Sequence, residues 1–167
     1  MPILTFQDAN PMVDGRQSVR ALMIQRGLTR HFQRNNITVL PEFVLASGRR
    51  ADLAGIGSKG EIILIEIKSS IEDFRVDQKW PEYLEYCDQF YFASHDGVPA
   101  EIFPDDEGFI LADQYGAEII REANVQKLAA ARRKSITLQF ARTAASRLAR
   151  VISFAESTGV DTPNLSG

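Results

Sequence analysis

The run Ile62-Ile63-Leu64-Ile65-Glu66-Ile67 constrains the fold more than any other stretch of this chain. It is aliphatic apart from Glu66, with no polar alternation, which is the pattern of a strand covered on both faces and so of a sheet with layers above and below. A buried charge is costly unless it is paired or coordinates a metal, so Glu66 marks this core strand as a candidate site. Arg50 to Ile56 and Glu61 to Lys68 read as two strands joined by the tight polar turn Gly57-Ser58-Lys59-Gly60. Antiparallel pairing across that turn makes Asp52 and Glu66 cross-strand neighbours to within a register step. Side-chain alternation puts Glu66 and Lys68 on one face. Two carboxylates and an amine converge.

Around this hairpin the chain alternates helix and strand patterns. Val13 to Arg34 is helical, with Ala21, Ile24, Leu28 and Phe32 in one stripe and Arg16, Arg20, Arg26, Arg30 and Arg34 on another arc. Ile37 to Ala46 reads as a strand interrupted at Pro41, whose missing N–H suits an edge or a bulge. Ser69 and Ser70 can cap a short turn or helix, a second helix is expected from Asp77 to Tyr86, and Gln89 to Ala93 reads as a buried strand. That order is a crossover unit and predicts a parallel pair. Phe109 to Ala112 and Ala117 to Ile120 form a second expected hairpin. Val125 to about Glu156 is helical, in one segment or two, with Ile136, Phe140, Ala144, Leu148 and Ile152 as its core stripe.

With 167 residues, 44% hydrophobic and 25% charged, the composition is that of one globular domain over 1–167, with ends 1–12 and 157–167 loosely held. No run is long and apolar enough to span a membrane, and Met1 to Thr5 lacks a signal-peptide pattern, so a cytoplasmic location is expected. Cys87 is the single cysteine and His31 and His95 the only histidines, which exclude an internal disulfide and argue against thiolate or histidine-rich metal centres. Net charge is −3, but residues 1–41 carry +3, residues 42–122 carry −11 and residues 123–167 carry +5, which sum to that total. Local fields steer a polyanion, so the total does not exclude nucleic acid.

Mg²⁺ (or Mn²⁺) prefers oxygen ligands and keeps several waters, so Asp52, Glu66 and the Ile67 carbonyl are a sufficient protein set. Lys68 would orient or deprotonate a water, or steady charge on a phosphorane. Glu42 is the candidate further ligand or general base. Arg49, Arg50 and Lys79 are candidates for holding phosphate oxygens. The competing reading of Asp52, Glu66 and Lys68 is a cross-strand salt bridge, the ordinary role of Glu-x-Lys. Trp80, Tyr83 and Tyr86 are read as packing aromatics, Cys87 as a small buried apolar group and Asp88 as a structural hydrogen-bonding residue. Arg132, Arg133 and Lys134 form a basic run that is ordinarily solvated.

The order helix, Asp52, thirteen residues, Glu66-Ile67-Lys68, helix and strand resembles the PD-(D/E)xK nuclease superfamily. A fuller string is similar to the MmcB group of bacterial DNA-repair proteins. It comprises Pro41-Glu42-Phe43, Gly48-Arg49-Arg50-Ala51-Asp52, Glu66-Ile67-Lys68-Ser69-Ser70, Asp73-Phe74, Lys79-Trp80, Tyr83, Tyr86-Cys87-Asp88 and Tyr91-Phe92-Ala93. Ile110-Leu111-Ala112-Asp113, Gly116-Ala117 and Ala131-Arg132-Arg133-Lys134 extend it, so that the likeness runs from about Arg16 to Arg150. The resemblance implies an α/β restriction-endonuclease-like fold, a mixed central sheet flanked by helices. It also implies DNA as partner, a DNA-repair role, a metal-dependent nuclease site at Asp52, Glu66 and Lys68, and Arg132, Arg133 and Lys134 as a backbone clamp. Other repair proteins and a second copy of the chain are expected partners by the same analogy. The chain departs from the superfamily pattern in having Ala51 before the metal Asp and only Asp14 as an acid in its first helix. Those departures leave room for a catalytically weak or inactive DNA-binding adaptor, or for activity that depends on Glu42.

Overall fold

In the computed structural model, which describes residues 18–161, a six-stranded mixed sheet lies between one helix on one face and a group of helical segments on the other. Strand order follows chain order. The strands are β1 (Thr38–Val44), β2 (Arg50–Ile56), β3 (Ile62–Ile67), β4 (Gln89–Ser94), β5 (Gly108–Ala112) and β6 (Ala117–Arg121). β2 runs antiparallel to both of its neighbours, β1 and β3; β3, β4 and β5 are parallel, and β6 returns antiparallel. Both expected hairpins and the parallel pair are present. Gly60 closes the first turn at φ 84°, a conformation side chains resist, and its N–H donates to the Gly57 carbonyl (3.0 Å).

α1 (Val19–Arg34) starts at Ser18, whose Oγ accepts the Ala21 N–H (3.1 Å). Residues 1–17 and 162–167 lie outside the described residues, and with them the expected lead-in, Asp14, Arg16 and the end of the tail. Ile24, Leu28 and Phe32 of α1 pack on Leu53, Ile63, Ile65, Ile67, Tyr91 and Ile110. Gly27 permits this approach, because a Cβ there would stand 1.9 Å from the Asp113 carbonyl oxygen of the β5–β6 turn.

The opposite face of β3 carries Ile62, Leu64 and Glu66. It is covered by α2 (Ile71–Val76), a 3₁₀ segment (Trp80–Tyr86) and α3 (Ala130–Thr158), through Phe74, Trp80, Tyr83, Ile136 and Phe140 around Phe90, Phe92 and Phe103. Trp80 stacks on Phe90 and Tyr83 is buried, so these aromatics pack as expected.

Three expectations need correction. The helix expected over 77–86 divides. α2 comes earlier, Asp77 is extended (φ −87°, ψ 97°), and a 3₁₀ segment with Pro81 in its first turn follows. Pro81 has no N–H and fits a first helical turn but not a helix interior, so a new segment opens at Trp80 instead of one helix running through. α3 begins at Ala130 rather than Val125, because residues 125–129 serve as a strap: the Gln126 N–H donates to the Asp88 carbonyl (2.9 Å) and the Leu128 N–H to Asp88 Oδ1 (3.1 Å). Finally, Leu148 of the expected core stripe is 47% exposed, because it is the neighbouring Arg147 that turns toward edge strand β1 and bonds the Pro41 and Glu42 carbonyls. No helix of the described residues is long and apolar enough to cross a membrane.

Candidate active site

The β2–β3 register pairs Leu53 with Ile65, and one further step places Asp52 opposite Glu66. On the other side of β2 the register pairs Pro41 with Leu53 and Phe43 with Ala51, which leaves Glu42 opposite Asp52. Three carboxylates thus form a row across three strands, on the face roofed by α2 and the 3₁₀ segment. Glu42 has φ 52°, a left-handed conformation that costs a non-glycine residue about 1–3 kcal/mol. Arg147 of α3 holds it there, its guanidinium donating to the Pro41 carbonyl and to the Glu42 carbonyl (2.6 Å). Pro41 does sit on an edge strand, and the interruption falls one residue later, at Glu42.

Asp52 Oδ2 accepts the Ile67 N–H (2.7 Å), which fixes its carboxyl against the end of β3. Ile67 therefore meets Asp52 through its N–H. Glu66 is 8% exposed and Lys68 5%, at the strand's C-terminal end. Lys68 Nζ donates to Glu66 Oε1 (3.2 Å) and more closely to Asp77 Oδ2 (2.7 Å). Its backbone is pinned too, by Ser94 Oγ on its carbonyl (2.6 Å) and by the Ala93 carbonyl on its N–H (2.9 Å). Glu66 Oε2 is buried with no hydrogen-bond partner.

Charge is unevenly balanced here. Burial pushes the Asp52 carboxyl well above the usual carboxylate range, and the Glu66 charge adds to that against the Ile67 N–H and the Lys68 charge. Glu66 is pushed up by burial as well, with Lys68 opposing. Lys68 goes the other way from a lone buried amine: burial lowers it, but the Glu66 charge and the Asp77 hydrogen bond and charge more than restore it. Burial would raise Asp77, yet the bonds from Lys68 and from the Lys79 N–H (3.0 Å) hold it low. The site holds two carboxyls that resist ionisation beside one ammonium that keeps its proton.

Asp77 is the residue sequence reasoning missed. The break after α2 swings it back over β3, and only the expected continuous helix concealed that.

The other expected site residues are distributed as follows. Arg49 stacks over the Tyr83 ring (5.0 Å) and reaches Asp77 Oδ1 (3.9 Å) and Glu82 (3.8 Å), so it borders the site. Arg50 Nε pairs with Glu42 Oε2 (2.5 Å). Lys79 is exposed beside Asp77. Arg132, Arg133 and Lys134 are not brought there. Arg133 donates to both oxygens of Asp88 (2.6 Å each) and to the Gly60 carbonyl (2.8 Å), and Arg132 bonds the Glu85 carbonyl (2.9 Å) and stacks on Tyr86. Asp88 also accepts the Ile62 N–H (2.7 Å). Ile62 begins β3 and Glu66 lies near its end, so this basic run stands at the opposite end of the strand from the carboxyls. It sits at the far end of the strand because Asp88 draws Arg133 there. Asp88 is structural, as expected.

Asp52 and Glu66 offer hard oxygen donors, and the unpartnered Glu66 Oε2 is a donor set incomplete without a cation or a proton. Those features fit Mg²⁺ or Mn²⁺. Among the described residues no group of three or more His, Cys, Asp or Glu side chains is arranged to hold an ion, so Glu42 does not complete a three-carboxylate cage.

A family model for DNA repair proteins, described as MmcB-like, matches residues 8–155. The chain belongs to the MmcB-like DNA repair family. It is also similar to the solved structure of a protein of unknown function from Silicibacter pomeroyi. That similarity is 41% in identity with a TM-score of 0.77, over 90% of this chain and 99% of the other. No curated protein matches the chain.

Proposed function

We propose that this member of the MmcB-like family is a divalent-metal-dependent DNA nuclease of the PD-(D/E)xK type. The observation that carries the reading is Glu66 Oε2, buried and without a partner beside the Asp52 carboxyl on a strand otherwise aliphatic. A cation between the two carboxyls would relieve what pushes both upward. Asp52, Glu66 and the Ile67 carbonyl are the residues that would hold Mg²⁺ or Mn²⁺. When bound, such an ion polarises a phosphate and acidifies water.

This chain's own groups supply the rest. Asp52 is aimed by the Ile67 N–H. Lys68, kept protonated by Glu66 and Asp77, donates to a phosphate oxygen as charge builds on it, a role that suits an ammonium better than proton abstraction does. Water attacks phosphorus, the bridging P–O bond breaks, and the leaving oxygen takes up a proton. Glu42 is engaged by Arg50 and is assigned no direct step. Arg49 borders the site and is the candidate for an adjacent phosphate.

Labelled single-stranded, duplex and flap DNA incubated with Mg²⁺ or Mn²⁺ tests this. Asp52→Asn, Glu66→Gln and Lys68→Ala are each expected to lower cleavage by roughly a hundred- to a thousandfold. Saturating Mn²⁺ should raise the Tm of wild type and not of Glu66→Gln. Wild type and variants that behave alike on every substrate would refute the nuclease reading. A non-catalytic DNA-binding adaptor is the second reading. It is favoured by the Lys68–Asp77 bond, which already occupies the ammonium, and it predicts DNA binding indifferent to Asp52→Asn.

A further inference from the structure

From Ala123 to Ala155 the chain has seven Lys and Arg and no acid. Three of those seven, Arg142, Arg147 and Arg150, fall in the part of α3 that lies against edge strand β1. Gln139 Nε2 donates to the Val44 carbonyl, and one turn or two later Arg147 holds the Pro41 and Glu42 carbonyls, so α3 runs antiparallel along β1. Ser135, Gln139, Arg142, Ser146 and Arg150 recur at steps of three and four and share one side of the helix. With Arg147 they line an open groove of about 600 Å³. Ser135, Arg142, Ser146 and Arg150 are exposed. Among the described residues, neither Arg142 nor Arg150 has a carboxylate within 4 Å. Arg132 and Arg133 of the same helix contrast with these, being bonded to Glu85 and Asp88.

We infer that this stripe of α3, with Arg142 and Arg150 as its charged contacts, is the surface that holds the phosphate backbone of DNA beside the carboxylate row. The inference rests on the reading that the row acts on DNA, and it moves the backbone contact from the expected Arg132-Arg133-Lys134 run to the opposite half of the same helix. Three features support it. Charge complementarity is the first, since arginines and hydroxyls with no acid between them match a row of phosphates. Position is the second. Arg147 ties the stripe to Glu42, and at about 4.8 Å per strand Asp52 lies roughly 5 Å, and Glu66 roughly 10 Å, across the sheet from β1. Spacing is the third: eight residues at 1.5 Å separate Arg142 from Arg150 by about 12 Å, or three to four nucleotides along one strand.

Fluorescence anisotropy with duplex and single-stranded DNA in EDTA, titrated over salt, tests this without any cleavage. Each phosphate neutralised contributes a slope of about −0.9 in log K against log salt for duplex and about −0.7 for single strands. Arg142→Ala/Arg150→Ala should bind roughly tenfold or more weakly at moderate salt, with a duplex slope shallower by about 1.8. Arg142→Lys/Arg150→Lys should restore the slope. Arg132→Ala/Lys134→Ala should change neither quantity. An unchanged affinity and slope in the Arg142/Arg150 variant would overturn the inference, as would an equal loss in the Arg132/Lys134 variant or no binding by wild type at low salt. Binding that depends on Arg142 and Arg150 in a protein that never cleaves would instead sink the nuclease reading and leave the surface standing.

Discussion

Buried acids stand at both ends of β3, one at its start and two at its end, and the two ends have been solved oppositely. At the start of the strand Asp88 receives the Ile62 and Leu128 N–H groups and both arms of Arg133. Burial alone would raise its carboxyl, but those bonds hold it below the usual carboxylate range. At the other end Asp52 and Glu66 sit together, both are pushed up, and one oxygen of Glu66 has no partner. One acid is a fastener. The other two form an incomplete site. The difference lies in donors: the first end supplies four N–H bonds to one carboxylate, whereas the second shares a single ammonium among Glu66 and Asp77.

The sharpest way to break that comparison is to remove each acid in turn. Asp88→Ala strands Arg133 and two backbone N–H groups, and losing one partner of a buried pair costs about 3–5 kcal/mol, here nearer 3 because Arg133 is partly in water. In a domain of this size that lowers Tm by roughly 6–12 °C. Asp52→Asn should leave the metal-free Tm unchanged or raise it, because it relieves like charge. Thermal unfolding followed by circular dichroism checks both, and an Asp88→Ala protein as stable as Asp52→Asn would erase the distinction.

A smaller effect is expected from Asp77→Asn. It keeps the shape and removes the charge that supports Lys68, so metal-dependent cleavage should fall about ten- to a hundredfold. Without that charge Lys68 loses its proton at lower pH, so the alkaline limb of the pH–rate profile should move to lower pH. A purely structural Asp77 would leave that limb in place while shifting Tm.

The smallest effect is the pH dependence of stability in EDTA. Asp88, depressed in the folded state, contributes stability that is present above the unfolded carboxylate value of about 3.9 and lost as pH falls through its folded value. Asp52 and Glu66, raised in the folded state, contribute stability present below about 4 and lost as pH rises through their folded values. Asp88→Asn should therefore flatten the acid side of a Tm–pH curve and Glu66→Gln the neutral side, with about 1.4 kcal/mol for every pH unit that separates the folded from the unfolded pKa. A Glu66→Gln curve parallel to wild type from pH 4 to pH 8 would count against a strained carboxyl pair.

Much of the site is legible in the sequence alone. Asp52, Glu66 and Lys68 lie on one short hairpin, so period-two alternation and a four-residue turn are enough to bring them together. The parallel β3–β4 pair follows from helix between two apolar strands. Arg132, Arg133 and Lys134 read only as a basic run, and nothing local shows where it attaches, because Arg133's partner Asp88 is 45 residues away. Asp77 is hidden for a related reason. Its neighbours in sequence suggest helix, and its partner Lys68 is reached only after the chain breaks that helix.

What the sequence determines alone is local: a doubly covered strand with one acid in it, a hairpin that sets Asp52 against that acid, and a long acid-free basic helix. Tertiary structure decides which charges meet. It bends Asp77 onto Lys68, locks Arg133 on Asp88, and lays the Arg142–Arg150 side of α3 along the strand that carries Glu42. The reason is range. Hydrogen-bond periodicity acts over a few residues and can be read along the chain, whereas the pairing of buried charges depends on which distant groups packing has left within about 3 Å of each other.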